Sequence, residues 1–408
     1  MSSPSPSVLR KVGSKLALLL TSVVLVLALC ELALRVAAPE RKTFNVWPPR
    51  MTHTFHANAD VMPGHLPTSK FTVDSLGLRG PEPGPDTDLR ILAIGGSTTE
   101  CLYVDDASAW PLRLSRLLGA TADGRPVWSA SAGMSGMNSG DHVTHARYLV
   151  PELPRIDIVV SLVGVNDLTL ALGTPEAYKP VPRDSTDKES LPLLARAFRQ
   201  IPGRFDRIED YDSAFYHRLA LYQLYRRFLV ARSREAATTQ LVNNDGGTLM
   251  DIWRAHRRNA TAHLDTLPDL APLLEVYKAN LRTFVDLLKE RSIRVILLTQ
   301  PTLWRDDLSE EEQKVLWMGG KGGDFMRQEG FPYYTPGALA KGMQAFNSAV
   351  LEVCKERNIE CFDLASRIPK DRSFFYDDCH FADRGSEQLA DLIADQLKRS
   401  PPFAPKSP

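Results

Sequence analysis

Five short apolar runs constrain this chain more than any other feature. Arg90–Ile94, Val127–Ser131, Ile156–Val163, Ile293–Thr299 and Ile359–Leu364 are short, carry β-branched residues and are mostly apolar. That pattern marks strands covered on both faces. Segments with helical spacing lie between or after them. "WPLRLSRLLG" closes on Gly119, and "LLEVYKANLRTFVDLLKER" sets Leu274, Tyr277, Leu281, Phe284, Val285 and Leu288 on one face. "ALAKGMQAFNSAVLEVCKER" precedes the fifth run and "GSEQLADLIADQLKR" comes after it. Such alternation predicts an α/β fold: a five-stranded parallel sheet with helices on both sides and right-handed crossovers. Ligands in such sheets sit beyond the carboxyl ends of the strands.

The rhythm is interrupted twice, at about 169–272 and 305–335. The first interruption carries Phe215, Leu219, Tyr222, Tyr225 or Arg226, and Leu229 at helical spacing with arginines mostly opposite; the second carries "WMGGKGGDFMRQEGFPYY". Excursions from strand ends serve as lids or substrate walls, or pack against the core or a membrane surface. The expected organisation is therefore 1–39 as tail and anchor, 40–88 as linker and edge segment, and 89–400 as the α/β body with both insertions.

The N-terminus differs in kind. From Leu16 to Cys30 the chain is uncharged, and the apolar stretch reaches Leu34 if Glu31 is tolerated. Such a helix spans roughly 29 Å at about 1.5 Å per residue, close to a bilayer's hydrocarbon core. Arg10, Lys11 and Lys15 precede it, which places the N-terminus in the cytoplasm and the body on the exported side. "VAAPE" is a poor cleavage site, so an uncleaved single-pass anchor is the expectation and a cleaved signal peptide the alternative. The 49 basic and 49 acidic residues cancel, without long runs of either sign. The electrostatic footprint of a nucleic-acid binder is missing.

The five cysteines show no CxxC spacing of a zinc site. Cys30 lies in the anchor. An exported body could oxidise the others, and a Cys101–Cys379 bridge forms if their two stretches meet. The other reading is four reduced thiols at Cys101, Cys354, Cys361 and Cys379.

The segments at the strand ends are chemically specific. The first strand ends in Gly95-Gly96-Ser97, the second in "SAGMSGMNSG" and the third in "GVNDL"; beyond the fifth lies "FYDDCHFADRGSEQLA". By the strand-end rule all four converge on one edge of the sheet. Ser97 reads either as a helix cap or as a nucleophile on a tight strand-to-helix turn. His380 would be its base, and Asp377, three residues earlier, would hold the other imidazole nitrogen. Asp378 is expected to cap or to be solvated. The Ser97 N–H, the Gly136 N–H and the Asn166 side-chain amide would form the donors for a tetrahedral oxyanion. Asn166 as a turn residue is the alternative, and Gly133 reads as a turn glycine.

The order Ser97…Gly136…Asn166…Asp377-x-x-His380 on a five-stranded parallel sheet resembles the SGNH (GDSL-type) hydrolase superfamily, in its membrane-anchored bacterial form, from about Arg90 to Lys398. The resemblance implies a flavodoxin-like three-layer α/β/α fold and serine-dependent ester hydrolysis without metal or cofactor. The family's G-D-S is Gly95-Gly96-Ser97 here; that aspartate is not a catalytic member. The "GxSxG" elbow and a Walker-type G-K-[ST] are absent. The implied activity is a membrane-anchored esterase that deacylates a small molecule, glycan or lipid through an acyl-serine. An O-acyltransferase using the same residues is the alternative, and a non-catalytic envelope-binding protein is the reading from another class.

Overall fold

The computed structural model describes residues 6–37, 46–47, 49–86, 88–181, 216, 219–222, 224–225, 247–322 and 325–404. Two short strands, β1 (Thr52–Phe55) and β2 (Ser69–Thr72), pair antiparallel. The central sheet then builds from β3 (Leu89–Gly95), β4 (Val127–Ser131) and β5 (Ile158–Leu162). Beyond a two-residue β6 (His263–Leu264) it is completed by β7 (Arg294–Leu298) and, after a two-residue β8 (Tyr333–Tyr334), by β9 (Glu360–Phe362). Strand order is β4-β3-β5-β7-β9, and every pair in it is parallel. This is the 2-1-3-4-5 order of flavodoxin-like sheets, whose strand order reverses between β3 and β5. All five expected strands are present: β3 is one residue longer at each end than expected, β4 has the expected bounds, and β5, β7 and β9 are shorter.

Helices cover both faces. The α-helices among the described residues begin with α1 (Pro6–Ala37), which lies outside these layers, and go on with α2 (Ser97–Glu100), α3 (Trp110–Leu118), α4 (Ser139–Thr144) and α5 (Val165–Gly173). They continue with α6 (Thr248–Arg258), α7 (Ala271–Lys289), α8 (Glu310–Gln313), α9 (Pro336–Arg357) and α10 (Asp383–Leu397). α3 packs with α10 in one layer, whereas α7 packs with α4 and α9 in the other. The α7 stripe of Tyr277, Leu281, Phe284, Val285 and Leu288 is buried as its spacing requires, with Leu274 at the margin.

The segment before the body contacts the central sheet. Arg79 and Ser131 form an antiparallel bridge that hangs this segment on the edge strand β4. The buried Arg79 guanidinium then spans the turn after α2, donating to the Glu100 and Val104 carbonyls at 2.7 and 2.6 Å and to the Cys101 carbonyl. β6 pairs with β8, which joins the end of the first insertion to the end of the second. Most of the amphipathic stretch Phe215–Leu229 lies outside the described residues. Within it, the Ala220 and Leu221 N–H groups donate to Glu31 of α1 at 2.8 and 3.0 Å.

Gly13–Ala37 of α1 is unburied and holds an 18-residue stretch with a mean hydropathy of 2.5; it is long and apolar enough to cross a membrane, as an anchor or a signal sequence would be. Disulfide pairing departs from expectation. Cys354 at the end of α9 is bonded to Cys361 in β9, with Cα atoms 6.0 Å apart, while Cys101 and Cys379 are free and buried. The helix turns directly into its strand at Asn358, in the left-handed region at φ 49°, and this reversal brings Cys354 and Cys361 together. Cys101 instead aims its thiol at the Thr98 carbonyl, and the Cys379 thiol faces Met318 Sδ.

Candidate active site

Ser97 is not a helix cap. The cap position of α2 belongs to Gly96, and Ser97 is the first helical residue, directly after β3, with a partly exposed side chain. A Cβ on Gly96 would meet the Asn166 amide nitrogen, the movable end of a side chain, so glycine here leaves that amide its place beside the serine turn. The last residue of α2, Glu100, reaches across to the loop after β4. Its carboxylate accepts the Ser135 N–H at 2.9 Å and the Ser135 hydroxyl, which ties the serine turn to the Gly136 loop.

His380 Nε2 lies 2.6 Å from Ser97 Oγ, and His380 Nδ1 lies 2.6 Å from Asp377 Oδ2. The other carboxylate oxygen accepts the Cys379 and His380 backbone N–H groups at 3.0 and 2.8 Å. Burial opposes charge on Asp377, but the adjacent imidazolium and these N–H donors outweigh it and hold the carboxyl below its ordinary range. Burial likewise opposes the imidazolium, yet the charge of Asp377 raises His380 well above 6.5.

Two aromatic rings run nearly parallel to the imidazole. The ring of Tyr376 lies 5.6 Å away and tilted 19°, and that of Trp317 lies 6.4 Å away and tilted 8°. The Trp317 indole N–H also donates to Asp377 Oδ2 at 2.8 Å. Asp378 is fully buried rather than solvated. It accepts the Trp304 indole N–H at 2.7 Å and the Trp317 and Met318 backbone N–H groups at 2.7 and 3.1 Å. Burial and the charge of Asp377 push its carboxyl up, with Arg257 opposing.

Gly136 and Asn166 occupy the expected rim. Gly136 is exposed, with a φ of 79° that favours glycine. Among the described residues neither its N–H nor that of Ser97 has a hydrogen-bond acceptor. Asn166, in the first turn of α5, donates one amide hydrogen to the Met137 carbonyl at 2.7 Å, which fixes the amide and leaves its second hydrogen for a ligand. Gly133 is used for close approach: a Cβ there would strike the backbone of Thr99 and Glu100. Asp167 is buried beneath the rim, where it accepts the Ser139 N–H at 3.0 Å and the Tyr178 hydroxyl at 2.7 Å; burial pushes it up to about 6.

The structure thus gathers Ser97, Asp377 and His380 into one hydrogen-bonded row, with Gly136 and Asn166 from neighbouring strand ends. Sequence patterns did not reveal Trp317, Tyr376, Glu100 or Arg79, whose roles arise from distant segments meeting. Asp377, Cys379 and His380 also present ligand-type atoms within 4.8 Å of one another. The Asp377 and His380 atoms are already joined by a hydrogen bond, and burial pushes the Cys379 thiol up to about 11. The donor set therefore suits proton transfer rather than metal coordination.

A hydroxyl, an imidazole and a carboxylate in a row at the switch point of a flavodoxin-like sheet define the class of α/β serine esterases. The chain belongs to the GDSL-like lipase/acylhydrolase family, whose model matches residues 93–388; it is an SGNH-type esterase. Among solved structures it is similar to an acetylxylan esterase from Geobacillus stearothermophilus, with 13% identity and a TM-score of 0.39, covering 79% of this chain and 100% of that one. A lipolytic protein of the G-D-S-L family from Desulfitobacterium hafniense shares 11% identity at a TM-score of 0.35, covering 76% and 99% of the two chains. The acetyl xylan esterase AlAXEase shares 12% at 0.37, covering 76% and 100%. No curated protein matches the chain.

Proposed function

We propose that this esterase hydrolyses carboxylic esters through an acyl-Ser97 intermediate. His380 acts as base and then acid, Asp377 orients it, and Ser97 N–H, Gly136 N–H and the Asn166 amide receive the oxyanion. The observation that carries this reading is the unbroken relay from Ser97 Oγ through His380 to Asp377, 2.6 Å at each step. Ser97 Oγ attacks the acyl carbon while its proton passes to Nε2. The carbonyl π electrons move onto oxygen, where the three N–H donors stabilise them. Collapse expels the alkoxide, which leaves with the Nε2 proton as an alcohol. Water then repeats the sequence on the acyl-serine, releasing the carboxylic acid and free Ser97.

The proposed setting is the exported side of a membrane, with α1 as an uncleaved anchor. Support comes from the basic residues before the apolar span and from the Cys354–Cys361 disulfide, a bond suited to an oxidising compartment. Val46 is buried in the body and α1 ends at Ala37, so nine peptide steps keep the body within roughly 32 Å of the anchor's end. Acylated glycans or lipids of the envelope are the substrates such a tether would meet.

The test is hydrolysis of p-nitrophenyl acetate by the purified protein and by Ser97→Ala. A loss of at least about a thousandfold with an unchanged melting temperature is expected. A fluorophosphonate should add its mass to the peptide containing Ser97. Retained activity, or a label elsewhere, would remove Ser97 as nucleophile. With a glycan acceptor present, acyl-glycan forming faster than free acetate would reassign the reaction to O-acyl transfer.

A further inference from the structure

We propose that Trp317 is a positioning residue for the proton relay: its indole N–H locks the Asp377 carboxylate, and through it the His380 ring, in the orientation that proton transfer from Ser97 requires. This inference rests on the reading of Ser97, Asp377 and His380 given above, and deepens it.

An ionised carboxylate offers about four acceptor directions. On Asp377 two are filled from its own turn, by the Cys379 and His380 backbone N–H groups at 3.0 and 2.8 Å, and one by His380 Nδ1 at 2.6 Å. The fourth is filled from outside by Trp317 Nε1 at 2.8 Å, on the same oxygen that holds the imidazole. Without it, the oxygen facing the imidazole would be held by His380 Nδ1 alone.

Trp317 is itself braced. Its backbone N–H donates to Asp378 at 2.7 Å, and its ring packs on Trp253 of α6 at 4.7 Å. The flanking carbonyls are held by two buried arginines of the same helix: Arg254 takes Val315 at 3.1 Å and Arg257 takes Met318. Arg254 also takes the Tyr376 carbonyl at 3.0 Å, one residue before Asp377. Both insertions therefore converge on the back of the relay. A buried indole needs only some acceptor for its N–H. Here the acceptor is the group that orients the base, and that difference is testable.

The experiment compares Trp317→Phe, which keeps a ring against His380 and Trp253, with replacement of Trp317 by benzothienylalanine, which keeps the fused-ring shape and removes only the N–H. Both are assayed on p-nitrophenyl acetate beside Ser97→Ala. The expected result at position 317 is a kcat lower by about tenfold to a hundredfold, the range for small misplacements of reacting groups. KM should stay within about twofold, and the far-downfield proton resonance of His380 Nδ1–H should shift or broaden. Should Trp317→Phe fail to fold, the benzothienylalanine protein decides. A kcat within about twofold of the parent, with that resonance unmoved, would overturn the inference while leaving the hydrolase reading intact. Activity surviving in Ser97→Ala would instead overturn the reading on which it rests.

Discussion

His380 Nε2 meets Ser97 Oγ at 2.6 Å although the two residues are 283 positions apart in the chain. Only a neutral imidazole can accept the serine proton, so this contact makes activity depend on the protonation state of His380. Burial disfavours the imidazolium, but Asp377 outweighs it and raises the group well above 6.5. The acid limb of kcat/KM against pH is therefore expected above pH 6.5, where an ordinary histidine would already be neutral. Stability has the opposite sense. A histidine raised by folding contributes stability that is fully present below its unfolded-state value near 6.5, and that is lost as pH rises through the folded value. Rate profiles and melting temperatures across that window check both; an acid limb at or below 6.5 would contradict the coupling.

The second amide hydrogen of Asn166 is predicted to matter only in the transition state. Asn166→Ala should cost about 3 kcal/mol in kcat/KM, the usual worth of one oxyanion donor, with little change in stability. Less than a twofold loss would return Asn166 to a turn residue.

Gly96→Ala should reproduce much of that defect without touching Asn166. The added methyl meets the end of a flexible side chain, so the fold survives while the amide is displaced. Because both changes remove the same interaction, the double variant should lose little more than the worse single one. Full additivity in kcat/KM would show that Gly96 acts elsewhere.

Asp378 holds the second insertion against the relay. In Asp378→Ala three buried N–H donors, from Trp304, Trp317 and Met318, lose their acceptor. Arg257 loses a nearby opposite charge as well. The expected destabilisation is about 3 kcal/mol or more in urea unfolding. A change below about 1 kcal/mol would mean that water replaces the carboxylate.

The bond between Cys354 and Cys361 closes a short loop, with a sequence separation of 7. Loop-closure entropy gives about 2 kcal/mol for such a ring. Cys354→Ser should therefore lower stability by roughly that amount. The intact protein should release two additional thiols on reduction, both mapping to Cys354 and Cys361 by peptide mass. Bridged peptides containing Cys101 and Cys379 would refute this pairing.

Sequence by itself determined the sheet and the rim. A run such as Arg90–Ile94 declares a buried strand because burial on both faces demands mostly apolar residues, a purely local requirement. Once the strands are known, parallel topology sends every strand end to one edge. Ser97, Gly136, Asn166 and the Asp377–His380 pair can then be read as neighbours without coordinates. Tertiary structure alone decided what surrounds that row. Trp317 meets Asp377 across 60 residues, and Arg254 meets the Tyr376 carbonyl across 122. Cys354 found Cys361 through the backbone reversal at Asn358. Asp378 became buried because indole and backbone N–H groups of the second insertion satisfy it. No periodicity or spacing encodes such meetings, since a long insertion can return to the core at many points and only the packing of the whole chain selects one.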